Sequence, residues 1–325
     1  MIIKLFSQLL IVGALMQLAP VDAGAIQDRA TLPDAPERGF DLLAAHDVLT
    51  SRLPEAKNRD IAPVSVRPTS VGVVTSAQSA IVMDRASGEV LFEKNVHTPR
   101  AIGSITKLMT AHVFLQGNPD LNAPATLLSQ DIRLGASQHL SLSDTYTVRG
   151  LLEASLIGSD NTATAALARL SGLSLGDFVA RMNEEAAVLG MQHTTFADTT
   201  GLSSNNRSVV SDIAIMLDKL FENELLQEVT QMPTATIVGT SGRSYFIQTT
   251  DDLLTTFVNE PPYGIVGAKT GFLPEAGYCL GTVFDHENAG ELIVVVLGSD
   301  SKKGRFQDVK SLAVWAYDTF DWQTL

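Results

Sequence analysis

Ser104 and Lys107 are the residues whose types and spacing first suggest chemistry in this sequence. They lie in the stretch Ala101-Ile102-Gly103-Ser104-Ile105-Thr106-Lys107-Leu108-Met109-Thr110, which reads as the opening of a helix. Residues three apart on a helix share a face, so the hydroxyl and the amine point the same way. A serine hydroxyl is a poor nucleophile until a neighbour takes its proton. A lysine in a dry pocket can do so, because desolvation and a nearby positive charge both favour the neutral amine. Pro99 and Gly103 mark the loop before the helix, which would set the Ser104 N–H at a helix N-terminus, able to donate to a developing oxyanion. The pair alone is ordinary, since a chain of this length holds about one S-x-x-K by chance. A second one, Ser299 to Lys302, follows a predicted strand.

Composition narrows the chemistry. The 325 residues carry a formal charge of −13 with scattered lysines and arginines, which argues against nucleic acid as a partner and leaves no basic stripe for anionic lipid. The single cysteine, Cys279, sits in an apolar run and reads as a small buried hydrophobe with no intrachain disulfide to make. No H-E-x-x-H and no G-x-S-x-G elbow occurs among the residues, which removes the usual zinc-peptidase and Ser–His hydrolase signatures.

The elements that must position Ser104 and Lys107 follow from periodicity. Residues 1–25 read as an export signal, with Lys4, an apolar run from Leu5 to Ala19 and small-residue cleavage sites around Ala23 and Ala25. Residues 26–76 are rich in Pro, Asp, Arg and Ala and read as a poorly ordered spacer; folding is expected from Ala77. Two strands, Ala80–Asp84 and Glu89–Glu93, flank a turn at Arg85-Ala86-Ser87-Gly88. After the Ser104 helix, helices are predicted over Gly150–Ile157, Thr162–Leu170, Leu175–Leu189 and Ser211–Phe221. Strands Gly264–Gly271, Tyr278–Phe284 and Glu291–Leu297 precede a last helix, Phe306–Phe320. This order predicts an α/β protein of the α+β type. One five-stranded antiparallel sheet is expected, with the first and last helices on one face, an all-helical lobe beside it, and the site in the cleft between.

Two further motifs fall where that cleft should be. Ser159-Asp160-Asn161 ends an apolar helical segment, and Lys269-Thr270-Gly271 ends a strand. Read singly, the first is an ordinary helix cap and the second a polar strand end with a turn glycine. S-x-x-K, then S-D-N about fifty residues later, then K-T-G about a hundred after that is an ordered set found in penicillin-recognising serine enzymes.

From Ala77 to the C-terminus the chain resembles the D-alanyl-D-alanine carboxypeptidase/endopeptidase group of low-molecular-weight penicillin-binding proteins. Phe196-Ala197-Asp198-Thr199-Thr200-Gly201-Leu202, Ala276-Gly277-Tyr278 and Arg305-Phe306 add to the likeness. The resemblance implies a β-lactamase/transpeptidase-like fold and a serine-type DD-peptidase. Ser104 would attack the carbonyl between two terminal D-alanines to form an acyl-enzyme, with Lys107 taking its proton. Ser159 would relay the proton to the departing amine, and Asn161 would hold the substrate backbone. Lys269 and Thr270 would meet the terminal carboxylate, and Gly271 would let the substrate strand approach. The N–H groups of Ser104 and Phe272 would form the oxyanion hole. No metal or organic cofactor is implied. The implied partners are peptidoglycan pentapeptide or cross-linked stem peptides, with β-lactams as inhibitors, in the periplasm or cell envelope, and with the membrane met only through an uncleaved signal.

Asp160 stands where many members of the group have glycine, and Ser211 where a basic residue commonly precedes the helix aspartate, here Asp212. That implies weaker support on the carboxylate side. The chain also ends about fifty residues past the third motif, like the single-domain members of the group. Two rivals share part of the pattern. A class A-like β-lactamase needs an E-x-x-L-N glutamate, which is absent between Asn161 and Lys269. A non-catalytic peptidoglycan or penicillin sensor would have no need of the proton-transfer residues retained here.

Overall fold

The structure is a computed structural model that describes residues 62–133 and 138–322. The expected signal, the spacer up to residue 61, and Gly135-Ala136-Ser137 lie outside the described residues.

Five strands form the central sheet: β1 (Ser79–Asp84), β2 (Val90–Lys94), β3 (Tyr263–Leu273), β4 (Gly277–His286) and β5 (Ala289–Ser299). They lie in the order β3-β4-β5-β1-β2, every neighbouring pair antiparallel. The early hairpin thus joins the late meander through β1 and β5, as the sequence order requires. Asp84 closes the first turn by accepting from the Ser87 N–H at 2.9 Å, and Gly88 takes the positive φ of 75° that the turn demands.

Both faces of the sheet are buried, and β5 shows how. Leu292, Val294 and Val296 enter one core while Ile293, Val295 and Leu297 enter the other, all at 0 % exposure. That is the period of a strand with apolar side chains on both sides. Each such side chain is worth about 1.5–3 kcal/mol of transfer free energy.

Among the described residues seven α-helices pack around the sheet: α1 (Thr106–Gln116), α2 (Val148–Leu156), α3 (Asn161–Leu170), α4 (Leu175–Leu189), α5 (Val210–Leu220), α6 (Glu224–Gln231) and α7 (Lys302–Thr319). α7 covers one face through Phe306, Val309, Leu312, Ala313 and Ala316. The expectation that the first and last helices share a face is not met. α1 places Leu108 and Met109 in the other core, with α5 and the helical lobe. Residues Thr106–Ala111 are buried on every side of α1, so its pattern carries no direction and could not tell one face from the other. Phe320, expected on the buried face of α7, lies past its end and is half-buried.

The lobe beside the sheet is also not purely helical. A hairpin, Thr234–Val238 with Ser244–Gln248, packs into it through Ala235, Ile237 and Ile247. A shorter strand pair, Pro124–Thr126 with Thr145–Thr147, adjoins it. The hairpin is hard to read from sequence because each strand has only five residues and together they bury just Ala235, Ile237 and Ile247.

The described chain is integrated before Ala77, where folding was expected to begin. Val64–Ser65 pairs with Phe320–Asp321, and the Ser76 and Ala77 N–H groups both donate to the Asp308 carboxylate at 2.8 and 2.9 Å. This anchor comes from a carboxylate more than two hundred residues away, which local composition does not show. Among the described residues no helix is long and apolar enough to cross a membrane.

Candidate active site

Local sequence sets the first wall of the cleft. Gly103 has φ 54° and opens a 3-10 turn, Gly103–Ile105, that leads directly into α1. Ser104 therefore sits on the tight turn and Lys107 in the first turn of the helix. Crowding makes the glycines obligatory here. A Cβ on Gly201 would come 2.0 Å from the Gly103 carbonyl oxygen, and one on Gly271 would come 2.3 Å from that of Ile102.

Lys107 is fully buried, and its Nζ has three oxygen neighbours. Ser104 Oγ lies at 2.8 Å, Asn161 Oδ1 at 2.5 Å and the Thr200 carbonyl oxygen at 2.7 Å. A neutral amine meets this set: two N–H donate to Asn161 and Thr200, and the lone pair accepts the Ser104 O–H. Burial, then the charge of Lys269, pushes the Lys107 pKa well below that of a free lysine, against the pull of Asp198 and Asp160. The expected Ser–Lys pairing is therefore present in space. Ser299 and Lys302 behave differently. Ser299 ends β5 and donates to Asp308 at 2.8 Å, while Lys302 opens α7 and pairs with Asp252 at 3.6 Å.

The Thr200 carbonyl belongs to a loop folded around Asp198. That carboxylate accepts from the N–H groups of Thr200 (2.6 Å), Gly201 (2.7 Å) and Ser203 (2.6 Å). Asn206 ties the loop to α1 through Thr106 Oγ1 at 3.1 Å. The loop thus acts as a rigid acceptor for Lys107, a role the sequence did not assign.

Between α2 and α3 the chain turns sharply at Ser159, which holds a left-handed φ of 56°. A serine there is strained, and such strain persists only where neighbours over-determine it. The neighbour is Asp160, fully buried. Its Oδ1 accepts from the Ala163 N–H at 2.9 Å as the cap of α3, and its Oδ2 accepts from the His139 N–H at 2.5 Å. The cap alone is worth about 1 kcal/mol. Asp160, noted in the sequence as a departure, thus locks the turn that presents Ser159 and Asn161.

The second wall is β3, an edge strand of the sheet. Lys269 is buried, with Nζ 3.2 Å from Ser159 Oγ, so it bridges the two lobes. Burial and the Arg305 charge lower its pKa to about 7, against Asp251. The Lys269 charge is in turn one of the causes that hold Lys107 towards its neutral form. Thr270 Oγ1 lies 2.6 Å from Thr250 Oγ1. Phe272, half-exposed at 47 %, packs on Tyr278 with ring centroids 4.4 Å apart and the planes tilted by 31°.

A cleft of about 370 Å³ joins these walls, with Ser104, Ser159, Asn161, Thr270, Gly271 and Phe272 on its surface. Arg305 also lines it, a residue noted in the sequence only as part of a likeness. The guanidinium donates to the carbonyls of Gly271 (3.2 Å) and Thr250 (3.4 Å) and lies over the Tyr278 ring at 5.7 Å. α7 thus supplies a guanidinium to this end of the cleft. Asp212, next to Ser211, accepts from His193 N–H and Thr194 Oγ at 2.7 and 2.8 Å.

A cleft serine bonded to a buried lysine, between an antiparallel sheet and a helical lobe, defines the class of serine acyl-transfer enzymes that open a carbonyl without histidine. Comparison narrows the class. The sequence profile of the D-alanyl-D-alanine carboxypeptidase family, peptidase S11, matches residues 66–301, and the chain belongs to that family of serine-type carboxypeptidases and endopeptidases. The D-alanyl-D-alanine endopeptidase of Haemophilus influenzae is 32% identical over 238 residues, 72% of this chain and 80% of that protein. The D-alanyl-D-alanine carboxypeptidase DacF of Bacillus subtilis is 29% identical over 254 residues, and the match spans 63% of its length. The crystal structure of the Streptomyces K15 DD-transpeptidase aligns with a TM-score of 0.69 at 28% identity, covering 77% of this chain and all of that one. Penicillin-binding protein D2 of Listeria monocytogenes, solved in an ampicillin-bound form, aligns with a TM-score of 0.64 at 31% identity, covering 76% and 99%.

Proposed function

We propose that this chain hydrolyses the bond following a penultimate D-alanine in peptidoglycan stem peptides, through an acyl-enzyme on Ser104. The observation that carries the reading is the Lys107 Nζ, buried and 2.8 Å from Ser104 Oγ, with its other hydrogen-bonding directions taken by two acceptors. In acylation the Ser104 proton passes to Lys107 as Oγ bonds to the carbonyl carbon. The N–H groups of Ser104 and Phe272 stabilise the resulting oxyanion. Ser159 Oγ, beside Lys269, relays that proton: it gives its own to the departing amine as it takes the one held by Lys107. The substrate lies along the free edge of β3, where Gly271 leaves room for its backbone. Asn161 presents its amide N–H₂ to the substrate, its Oδ1 being held by Lys107. Lys269, Thr270 and Arg305 receive the terminal carboxylate.

Water then attacks the acyl-serine, and the product depends on what the substrate's amine carried. Incubation with purified muropeptides and mass analysis checks the reaction. Monomers that lose one alanine report carboxypeptidase action, and dimers converted to monomers report cross-link endopeptidase action. A protein that changes neither is not a DD-peptidase.

The same geometry supports inhibition by β-lactams, whose strained amide and carboxylate present the same two groups to Ser104 and to the Lys269–Arg305 end. The export signal and its cleavage are part of this reading, because the substrate lies in the cell envelope. N-terminal sequencing of exported protein should find a start near Gly24 or Ile26. A full-length product kept in the cytoplasm contradicts the assignment.

A further inference from the structure

Asp251 is a buried carboxylate beside the cleft that the chemistry above does not use. It lies in the segment that leaves the Ser244–Gln248 strand, and it is 4 % exposed. Its Oδ1 accepts from the Leu253 N–H at 3.0 Å, while its Oδ2 is buried with no hydrogen-bond partner. An unpartnered buried carboxylate oxygen is costly unless a nearby charge compensates it. Arg305 and Lys269 are the cations that act on it, and the contacts of Thr250 hold this segment against the elements that carry both. Thr250, the preceding residue, touches Thr270 through its hydroxyl and accepts from the Arg305 guanidinium through its carbonyl. Arg305 Nε is likewise buried without a partner. Lys269 lies one residue from Thr270 on β3.

We propose that Asp251 is a positioning residue for the carboxylate-binding end of the cleft: its ionised carboxylate is the buried counter-charge that lets Lys269 stay protonated beside Arg305. This rests on the reading that Lys269 and Arg305 receive the substrate's terminal carboxylate. Asp251 touches no substrate in this account and acts through the lysine.

The charges facing the group give the sign. Asp251 meets Arg305 and Lys269, whose charges favour its ionised form, and Asp252, which opposes it. Asp252 itself is half-exposed and paired with Lys302, so its influence is screened. Burial outweighs the cations and raises the Asp251 pKa to about 6. Lys269 is lowered by burial and by Arg305 and raised only by Asp251 among the charges acting on it. Removing the Asp251 charge therefore lowers the Lys269 pKa further, and the cation is lost at a lower pH.

The test uses the full chain and the peptide diacetyl-Lys-D-Ala-D-Ala, with KM and kcat measured from pH 5 to 10. In the wild type KM should rise on the alkaline side, and Lys269→Arg should abolish that rise, assigning it to Lys269. Asp251→Asn should move the rise acidward by about one pH unit, so that KM at pH 8 increases roughly five- to tenfold. Saturated kcat should change by less than about twofold, because the bound carboxylate keeps Lys269 charged. Asp251→Glu, which restores the charge, should return the rise most of the way. A merely structural role would lower kcat and stability without moving the pH dependence of KM. An unmoved rise in a folded Asp251→Asn protein, or a rise that survives Lys269→Arg, overturns the proposal.

A second measurement covers a variant that does not fold. The wild-type Asp251 13Cγ resonance, assigned through the backbone, should titrate near pH 6 and show a second step at the Lys269 midpoint. A single step in the ordinary carboxylate range overturns the proposal. That arm needs no substrate, so inactivity towards the peptide would count against the proposed function and leave this inference to be decided by the resonance.

Discussion

Benzylpenicillin should attach covalently to Ser104, and Ser104→Ala should abolish the adduct, with loss of stem-peptide cleavage on the order of 10⁴-fold or more. The size follows from removing the group that bonds to carbon, since among the described residues no other hydroxyl shares a hydrogen bond with the Lys107 amine. Ser299→Ala is the matched control. Its hydroxyl is spent on Asp308 at 2.8 Å, so labelling should persist. The adduct should last minutes or longer. A class A-like β-lactamase uses a loop carboxylate to activate the deacylating water, and the Asp198 carboxylate, in the loop that touches Lys107, is committed to the backbone N–H groups of Thr200, Gly201 and Ser203. Mass spectrometry of the intact protein at timed intervals checks both statements. Turnover of benzylpenicillin within milliseconds would instead identify a lactamase, and an adduct on another residue would remove Ser104 from the mechanism.

The second expected effect separates the two lysines by one substitution. Lys107→Arg should reduce acylation by about 10²–10⁴-fold, the usual contribution of a positioned base, because a guanidinium does not give up its proton. Lys269→Arg should keep substantial acylation at saturating substrate and lose roughly tenfold in binding, since a cation still faces the carboxylate. The pH dependence supplies an independent check. Lys107 works as the neutral amine, so acylation rises with pH through its depressed pKa. Lys269 works as the cation, so capture falls as pH passes about 7. The second-order rate constant should therefore be bell-shaped. The alkaline limb should lie higher for kcat than for kcat/KM, because a bound carboxylate holds the Lys269 proton. Arginine variants that acylate equally well would show that another group activates Ser104.

The sequence by itself determined what rests on local chemistry. Ser104 and Lys107 are one turn apart, so their meeting follows from helical geometry whatever the rest of the chain does. Asp160 caps α3 because it lies three residues before the N–H it accepts. The strands of β5 and β1 were legible because apolar runs of that length and composition have little other use. The order of the elements joined the early hairpin to the late strands in one sheet, and the ordered motifs joined these pieces into a family.

What only the tertiary structure decided is where charges meet across the chain. Arg305 reaches the cleft because α7 lies on one face of the sheet and its first turn overhangs the end of β3, a placement that the apolar stripe of α7 alone does not fix. The partition of α1 and α7 to opposite faces was likewise hidden. β1 and β5 are apolar on both sides, and α1 is buried all round, so hydrophobic pattern offers no preference. The protonation of Lys107 and Lys269 is a property of burial and of neighbours brought from four separate segments, and Asp251 enters that balance from a hairpin exit. Coulomb energies depend on distance through space and on the exclusion of water, and neither is written in the order of residues.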